Sequence, residues 1–389
     1  IKDAIEDYGI KYVLLAGGRK GQTLQWYVPT RRVNNDDGWE TGYDSDLYFA
    51  DIYDSEGNFS CWDPNKNNIF AEWTYYSEDI DIIDYYPNVY VGRLPFRYRF
   101  EVAPVVNKII EYELNADDSW FKTGAVISGD TFPPSRGGAY GWWEGELATA
   151  ETVSMLESIG FTMEKIWLSI PGLWETPQDV IDLINKGHGF LHFAGHSNPA
   201  AWGNYPPDAE ESEEYVHGIQ IWDMHKFTNK GKYPVVVLGG CHSAQFNVTL
   251  SHMIPHIQQY GFSGYFFNPP YRFYYMEWVP VDLSSRFVLV PESGGIACMG
   301  HAGLGYGARD EHWRFFSYWI EPRFFEIYAN QSYGYEHLGD IHSQAIIDYL
   351  TIVGGVNKIP SMDYERNIDR KTIEGWVLLG DPTLRVGGI

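Results

Sequence analysis

Short, continuously apolar runs recur along the chain: Lys11–Gly18, Val89–Val91, Ala125–Ser128, Gly189–Ala194, Tyr233–Leu238, Gly294–Gly300 and Trp376–Leu379. Runs of this length without polar alternation predict strands buried on both faces of a sheet. Helical spacing lies between them. Val102, Val105, Val106 and Ile109 share one face of a predicted helix in which Pro104 falls near the first turn, and Ala150, Val153, Leu156 and Ile159 share another. Thr176-Pro177-Gln178-Asp179 reads as a helix start and Gly187 as its stop. Strands alternating with helices predict an α/β fold, a parallel sheet covered on both faces. Residues 19–88 read as loop-rich, with turns at Asn34–Gly38 and Asp44–Asp46. Asn115–Asp118 reads as a connection between an N-terminal α/β unit, residues 1–115, and a larger unit, residues 116–389. No internal repeat is present.

Two strand ends carry chemistry. Tyr233–Leu238 runs into Gly239-Gly240-Cys241, and Gly189–Ala194 runs into Gly195-His196-Ser197. The carboxyl ends of strands in open α/β sheets are where ligands bind. If the two strands are neighbours, the thiol of Cys241 and the imidazole of His196 meet at one edge, the arrangement for Cys-His nucleophilic catalysis. The glycines leave room for a substrate backbone. His188, His192 and His196 are spaced by four, which on a helix would suit zinc. On the predicted strand, His188 and His196 stand about 26 Å apart at roughly 3.3 Å per residue, so zinc is the weaker reading. His192 then reads as a core histidine, and His242 as a residue at the site edge or the surface.

Composition narrows the partners. A formal net charge of −24 argues against nucleic acid and anionic membranes. Cys61, Cys241 and Cys298 are too few and odd in number for a disulfide framework, and Cys61 and Cys298 read as inert. No run is long and apolar enough to span a membrane. Oxygen-bearing side chains recur at alternate positions in Asp63, Asn65 and Asn67, followed by Ile69 (through its carbonyl) and Glu72, as in loops that wrap calcium; Asp44 and Asp46 are further candidates. The competing reading is a polar turn held by its own asparagines. Aromatic residues make up 17% of the chain, and the aromatic segment Tyr265–Trp278 is expected to pack over the site or serve an oligomer contact.

Gly-His-Ser with Trp202, and Gly-Gly-Cys-His-Ser-Ala-Gln-Phe, resemble the gingipain family of cysteine peptidases, relatives of the caspases. Val89-Tyr-Val-Gly-Arg-Leu-Pro95, a following helix with Lys108 and Glu111-Tyr112-Glu113, and Trp376–Leu384 extend the resemblance over most of the chain. It implies a caspase-like α/β/α sandwich and a cysteine endopeptidase acting on polypeptides, with a preference for a basic residue before the cut. It also implies structural calcium, no organic cofactor, and an extracellular or cell-surface location as a processed part of a longer precursor. Cys241 would be the nucleophile, His196 the base, and the amides of Cys241 and Ser197 the oxyanion donors. Gly195, Gly240 and Trp202 would border the substrate. Glu146, chosen over Glu144, would orient His196, against the plainer role of an acid in the first turn of a helix. Ser197 stands where the family has glycine, and Asp208–Glu214 is an acidic insertion. The alternative from another class is a catalytically silent scaffold for surface binding or self-assembly.

Overall fold

The computed structural model describes residues 1–74, 81–211, 214–254, 257–258, 261, 263–264, 276–354 and 364–389. The strands that position the site are β1 (Tyr12–Ala16), β2 (Tyr90–Leu94), β3 (Thr123–Ser128), β4 (Thr162–Trp167), β5 (Phe190–Ala194), β6 (His196–Asn198), β7 (Ala201–Asn204), β8 (Val216–Gln220), β9 (Val235–Leu238), β10 (Ala297–His301) and β11 (Trp376–Leu379). Among the described residues, eight of them form one sheet in the order β1-β2-β11-β10-β9-β5-β3-β4. The expectation of a uniformly parallel sheet needs one correction. Strands β1, β2 and β11 run parallel to one another, as do β10, β9, β5, β3 and β4, but β11 runs antiparallel to β10. Two parallel blocks therefore meet at one antiparallel seam.

Both faces of the sheet are covered, which is why its strands read as unbroken apolar runs. Alternate residues of β9 enter opposite cores: Val235 and Val237 pack with Phe324 and Ile341, Val236 and Leu238 with Ile181 and Phe287. Helices Ser317–Ala329 and Leu338–Ile352 cover the first face, and Pro177–Lys186 and Leu283–Leu289 the second. Strand β4, which the apolar pattern did not predict, is at the sheet edge and only half buried, so it carries Glu164 and Lys165 in its middle. Strands β6, β7 and β8 form a small antiparallel sheet beside the end of β5.

The helix Arg99–Asn115 forms, but only half of its predicted apolar face is turned inward, with Ile109 packed beside Val105 against the core. Val102 and Val106 are exposed, and Val105, Lys108 and Tyr112 are buried. The Lys108 ammonium donates to the carbonyls of Val288 (2.8 Å), Ser293 (3.0 Å) and Gly295 (3.0 Å), which ties this helix to the turn before β10.

The N-terminal block joins the rest through Leu379, paired with Arg93, and through Gly380 N–H, which donates to the Arg93 carbonyl at 2.8 Å. Arg93 is fully buried and clasps Asp46 with two bonds of 2.6 and 2.7 Å. Asp46 is therefore spent on the fold rather than on calcium, and Asp44 likewise accepts from Asn247 at 2.6 Å. Among the described residues, no helix is long and apolar enough to cross a membrane.

Candidate active site

Strands β5 and β9 are neighbours in register, Phe193 opposite Leu238. His196 and Cys241 each follow that pair by three residues, so one edge of the sheet receives both. Gly240 makes the turn possible. Its φ is +110°, and a Cβ there would lie 2.6 Å from Ser197 Oγ, 2.8 Å from Ser197 N and 2.9 Å from the Gly195 carbonyl. Gly195, His196, Gly240 and Cys241 line a cavity of about 730 Å³.

His196 is held by its surroundings. Its Nε2 lies 2.7 Å from the Thr131 carbonyl oxygen, an acceptor only, so Nε2 carries the proton and Nδ1 keeps its lone pair. The ring meets the edges of Phe132 and Tyr205 at 6.0 and 5.7 Å. Burial pushes its pKa below the usual histidine range, with the Thr131 bond opposing and the charge of Arg136 assisting. Tyr318, in the helix Ser317–Ala329, donates from its hydroxyl to Thr131 Oγ1 and so props the segment that holds His196. Cys241 keeps some exposure, yet crowding around the sulfur pushes its thiol up to about 11, and Sγ lies 3.4 Å from the Gly305 carbonyl.

Several expected contributors are placed elsewhere. Both Glu146 oxygens are taken by Ser169, from its amide at 2.9 Å and its hydroxyl at 2.6 Å, so the residue fastens the loop after β4 instead of orienting His196. The group on His196 is a main-chain carbonyl, which no pattern of residue types reveals. Glu144 accepts from the amides of Phe132 and Asp310, both at 3.2 Å, bracing the two loops that wall the cavity. Trp202 is fully buried, stacked on Trp174 at 5.3 Å and against the edge of Phe193 at 5.1 Å; it is core, not a substrate contact. Ser197 is buried behind Gly240 and donates to the Cys241 carbonyl at 2.7 Å. His192 lies between Thr152 (2.9 Å) and Glu321 (3.4 Å), and His188 faces the Leu183 carbonyl at 3.2 Å, so the three histidines spaced by four do not converge. His242 is buried with Nε2 3.6 Å from Glu40. Cys298 is buried in β10, and Cys61 is exposed. Residues 265–275 of the aromatic segment, and 212–213 of the acidic insertion, lie outside the described residues.

Residues 63–72 form a turn closed on its own amides. Asp63 accepts from Asn67 N and Asn68 N (3.0 Å each), Asn65 Oδ1 from Asn67 N (3.1 Å), and Asn67 Oδ1 from Ile69 N (2.8 Å). Asn67 Nδ2 donates to Glu72 at 2.6 Å. The side-chain oxygens of the turn are of the kind that a hard cation takes. Burial, then the charges of Glu72 and Asp63, push Asp81 up to about 6 although the Glu72 amide opposes this. Among the described residues, no group of three or more His, Cys, Asp or Glu converges as a metal cage.

The far wall was legible in principle. Gly303-Leu304-Gly305-Tyr306-Gly307 follows β10 at the same sheet edge as Cys241, and Leu304, Gly305, Tyr306 and Gly307 line the cavity. Trp39 reaches it from the N-terminal block, on a loop anchored by the buried Lys371, which lies 3.3 Å from Asp37 and 3.4 Å from Glu40.

A family model described as Peptidase family C25 matches residues 1–387. The chain belongs to peptidase family C25, the gingipain family. Among relatives of the C25 chain, Gingipain R2 of Porphyromonas gingivalis is 27% identical over 123 residues, 31% of this chain and 16% of that protein. An uncharacterized protein of Archaeoglobus fulgidus is 24% identical over 244 residues, 60% of this chain and 50% of that protein. These matches span half or less of the relatives' own length. The crystal structure of the Arg-specific cysteine proteinase gingipain R superposes with a TM-score of 0.64 at 16% identity, covering 99% of this chain and 66% of that one. The complex of gingipain pro- and mature domains gives 0.62 at 16% identity, covering 99% and 68%. This C25 chain thus has the gingipain, caspase-like α/β architecture.

Proposed function

We propose that the protein is a cysteine endopeptidase in which Cys241 is the nucleophile and His196 the base. The observation that carries this reading is the shared register that brings both residues to one cavity at the strand ends. The depressed histidine and the raised thiol both favour a neutral resting pair over a thiolate–imidazolium pair. Deprotonation then accompanies attack: as Sγ bonds to the peptide carbonyl carbon, its proton passes to His196 Nδ1. The same proton goes to the leaving amine as the C–N bond breaks. Water, deprotonated by His196, hydrolyses the thioester and restores the thiol. The Thr131 carbonyl stabilises the imidazolium that forms in each half-reaction, and the amides of Cys241 and Ser197 are the proposed oxyanion donors.

Cys241→Ala and His196→Ala are each expected to abolish cleavage of a peptide library, and a peptidyl electrophile is expected to label Cys241 in the wild type. Cleavage surviving in Cys241→Ala would sink the reading. The high thiol pKa and the Cys241 contact with Gly305 favour one alternative, a silent binding scaffold, which predicts neither cleavage nor labelling. The basic preference implied by resemblance finds no carboxylate among the described residues that line the cavity. Calcium remains a structural proposal for Asp63, Asn65, Asn67, the Ile69 carbonyl and Glu72, resting on the oxygen donors of that turn; it would neutralise Asp63 and Glu72 and take no part in the chemistry. A melting temperature indifferent to calcium and chelator would remove it. An extracellular or surface location is proposed from the gingipain kinship, and detection of the native protein in a cytoplasmic fraction alone would contradict it.

A further inference from the structure

Arg309 is the one Lys, Arg, Asp or Glu among the described residues lining the cavity. Its guanidinium lies over the Phe132 ring, 5.0 Å from the centroid, and among the described residues it donates one hydrogen bond, to the Gly137 carbonyl at 3.3 Å. Phe132 in turn meets His196 edge-on, so the cation stands one ring away from the base. No described carboxylate pairs with it. The Arg309 side chain is exposed, in a chain with 52 acidic and 28 basic residues. Arg136, on the same segment as Thr131, repeats the pattern: it donates to the Tyr205 hydroxyl at 2.8 Å and has no carboxylate partner among the described residues. Its charge is felt at His196.

The acids nearest the cavity are already engaged. Asp37 and Glu40 share Lys371, and Asp37 also accepts from the Tyr306 hydroxyl. Glu144 accepts main-chain amides, one of them that of Asp310, which fixes the position of Arg309 beside it. Asp130 is buried and accepts from the Asp208 amide at 2.9 Å. A basic substrate side chain would therefore meet a guanidinium and no free carboxylate of the described lining. An acidic one would find an exposed planar donor fork suited to bidentate pairing, in a cavity walled by Trp39, Phe132, Leu304, Tyr306 and Ile368.

We propose that this cavity selects peptides bearing an acidic side chain and that Arg309 is the residue that selects them, an inference that rests on the peptidase reading of the same site.

The test separates selection from catalysis. Binding is measured on Cys241→Ala, by Trp fluorescence or calorimetry, with peptides identical except for one Asp, Leu or Arg. The Asp peptide is expected to bind at least tenfold tighter than the Arg peptide. Arg309→Glu, in the same background, is expected to reverse that order, and Arg309→Gln to erase it, with melting temperatures confirming that both variants fold. An Arg peptide that binds as well as the Asp peptide overturns the proposal, as does an order indifferent to Arg309 or an absence of binding by all three. Cleavage of the set by the wild-type protein answers the other question. Asp-selective binding without cleavage would sink the peptidase reading alone, and cleavage at Arg untouched by Arg309→Glu would sink the selectivity alone.

Discussion

The Ser197 hydroxyl donates a 2.7 Å hydrogen bond to the main-chain carbonyl of Cys241. The residue that departs from the family pattern is thus a brace across the two strand ends. Ser197→Ala leaves that carbonyl without its partner and is expected to cost about 1–3 kcal/mol of stability. Ser197→Gly adds backbone freedom to that loss. Thermal melts of both variants check this: an unchanged melting temperature would show that the bond contributes nothing. Gly240→Ala is more severe, because its Cβ would collide with main-chain atoms of Ser197 and Gly195 at positive φ; loss of labelling at Cys241 is the readout.

The pH behaviour of His196 has a definite sign. Its folded pKa is depressed, so its contribution to stability is present above the ordinary histidine value of about 6.5 and is lost as pH falls through the folded value. The acid limb of kcat/KM is expected to have its midpoint below that ordinary value. For the Cys241 thiol the shift is upward, and its stabilising share is present below the ordinary thiol value of 9.0 and lost as pH rises through about 11. Alkylation of the free enzyme by iodoacetamide is therefore expected to be slow at pH 7 and to accelerate steeply toward pH 11. Fast alkylation at pH 7 would instead reveal a preformed thiolate.

Glu321 is fully buried under the nucleophile strand, and a Cβ on Gly239 would come within 2.6 Å of both its oxygens. It faces His192 at 3.4 Å and His301 at 3.8 Å, each held neutral by burial and pushed down to about 3. Burial pushes Glu321 well above the ordinary glutamate value of 4.5, so the fold keeps a proton that the unfolded chain releases. That contribution is full below pH 4.5 and is lost as pH rises through the folded value. Glu321→Gln removes the penalty, and its melting temperature is expected to exceed the wild type's by more at pH 8 than at pH 5. A difference that does not vary with pH would mean that the carboxyl is ionised in the fold.

Lys371 lies between Asp37 and Glu40 with its side chain wholly buried. Burial works to raise Asp37, but the Lys371 charge, the Tyr306 hydroxyl and the amides of Glu40 and Trp39 together bring it below the usual carboxylate range. Lys371→Met strands two buried acids at a cost of about 3–5 kcal/mol. Because the same loop carries Trp39 to the cavity, KM is expected to rise as well. Adding Asp37→Asn and Glu40→Gln is expected to recover most of the stability, and a triple variant no better than Lys371→Met would refute this account.

The sequence announced the strands that are buried on both faces, and with them the two residues that share the cavity. A purely apolar run followed by glycine and a reactive side chain has few other meanings at the edge of an α/β sheet. Strand β4 escaped because an edge strand tolerates Glu164 and Lys165. Val105 and Ile109 face inward as expected, but Val102 and Val106 do not, because Lys108, a residue usually left outside, is satisfied inside by three carbonyls. Trp202 looked like a substrate contact only while its stacking on Trp174 was unseen. Glu146 and Glu144 differ by two positions and both cap main-chain amides, a distinction that resides in loop geometry and not in residue type.

The antiparallel seam between β10 and β11 bears on how the protein comes into being. Strand β11 lies in the interior of the sheet, yet it begins only at Trp376, long after its neighbour β2 has ended at Leu94. At 5–20 residues per second, β2 leaves the ribosome on the order of tens of seconds before its inner neighbour is made. Until then the block bearing Trp39 lacks the strand that joins it to the sheet, and Ile368 and Lys371, on the helix that leads into β11, are not yet synthesised. A nascent chain therefore holds Cys241 and His196 well before it holds a finished cavity.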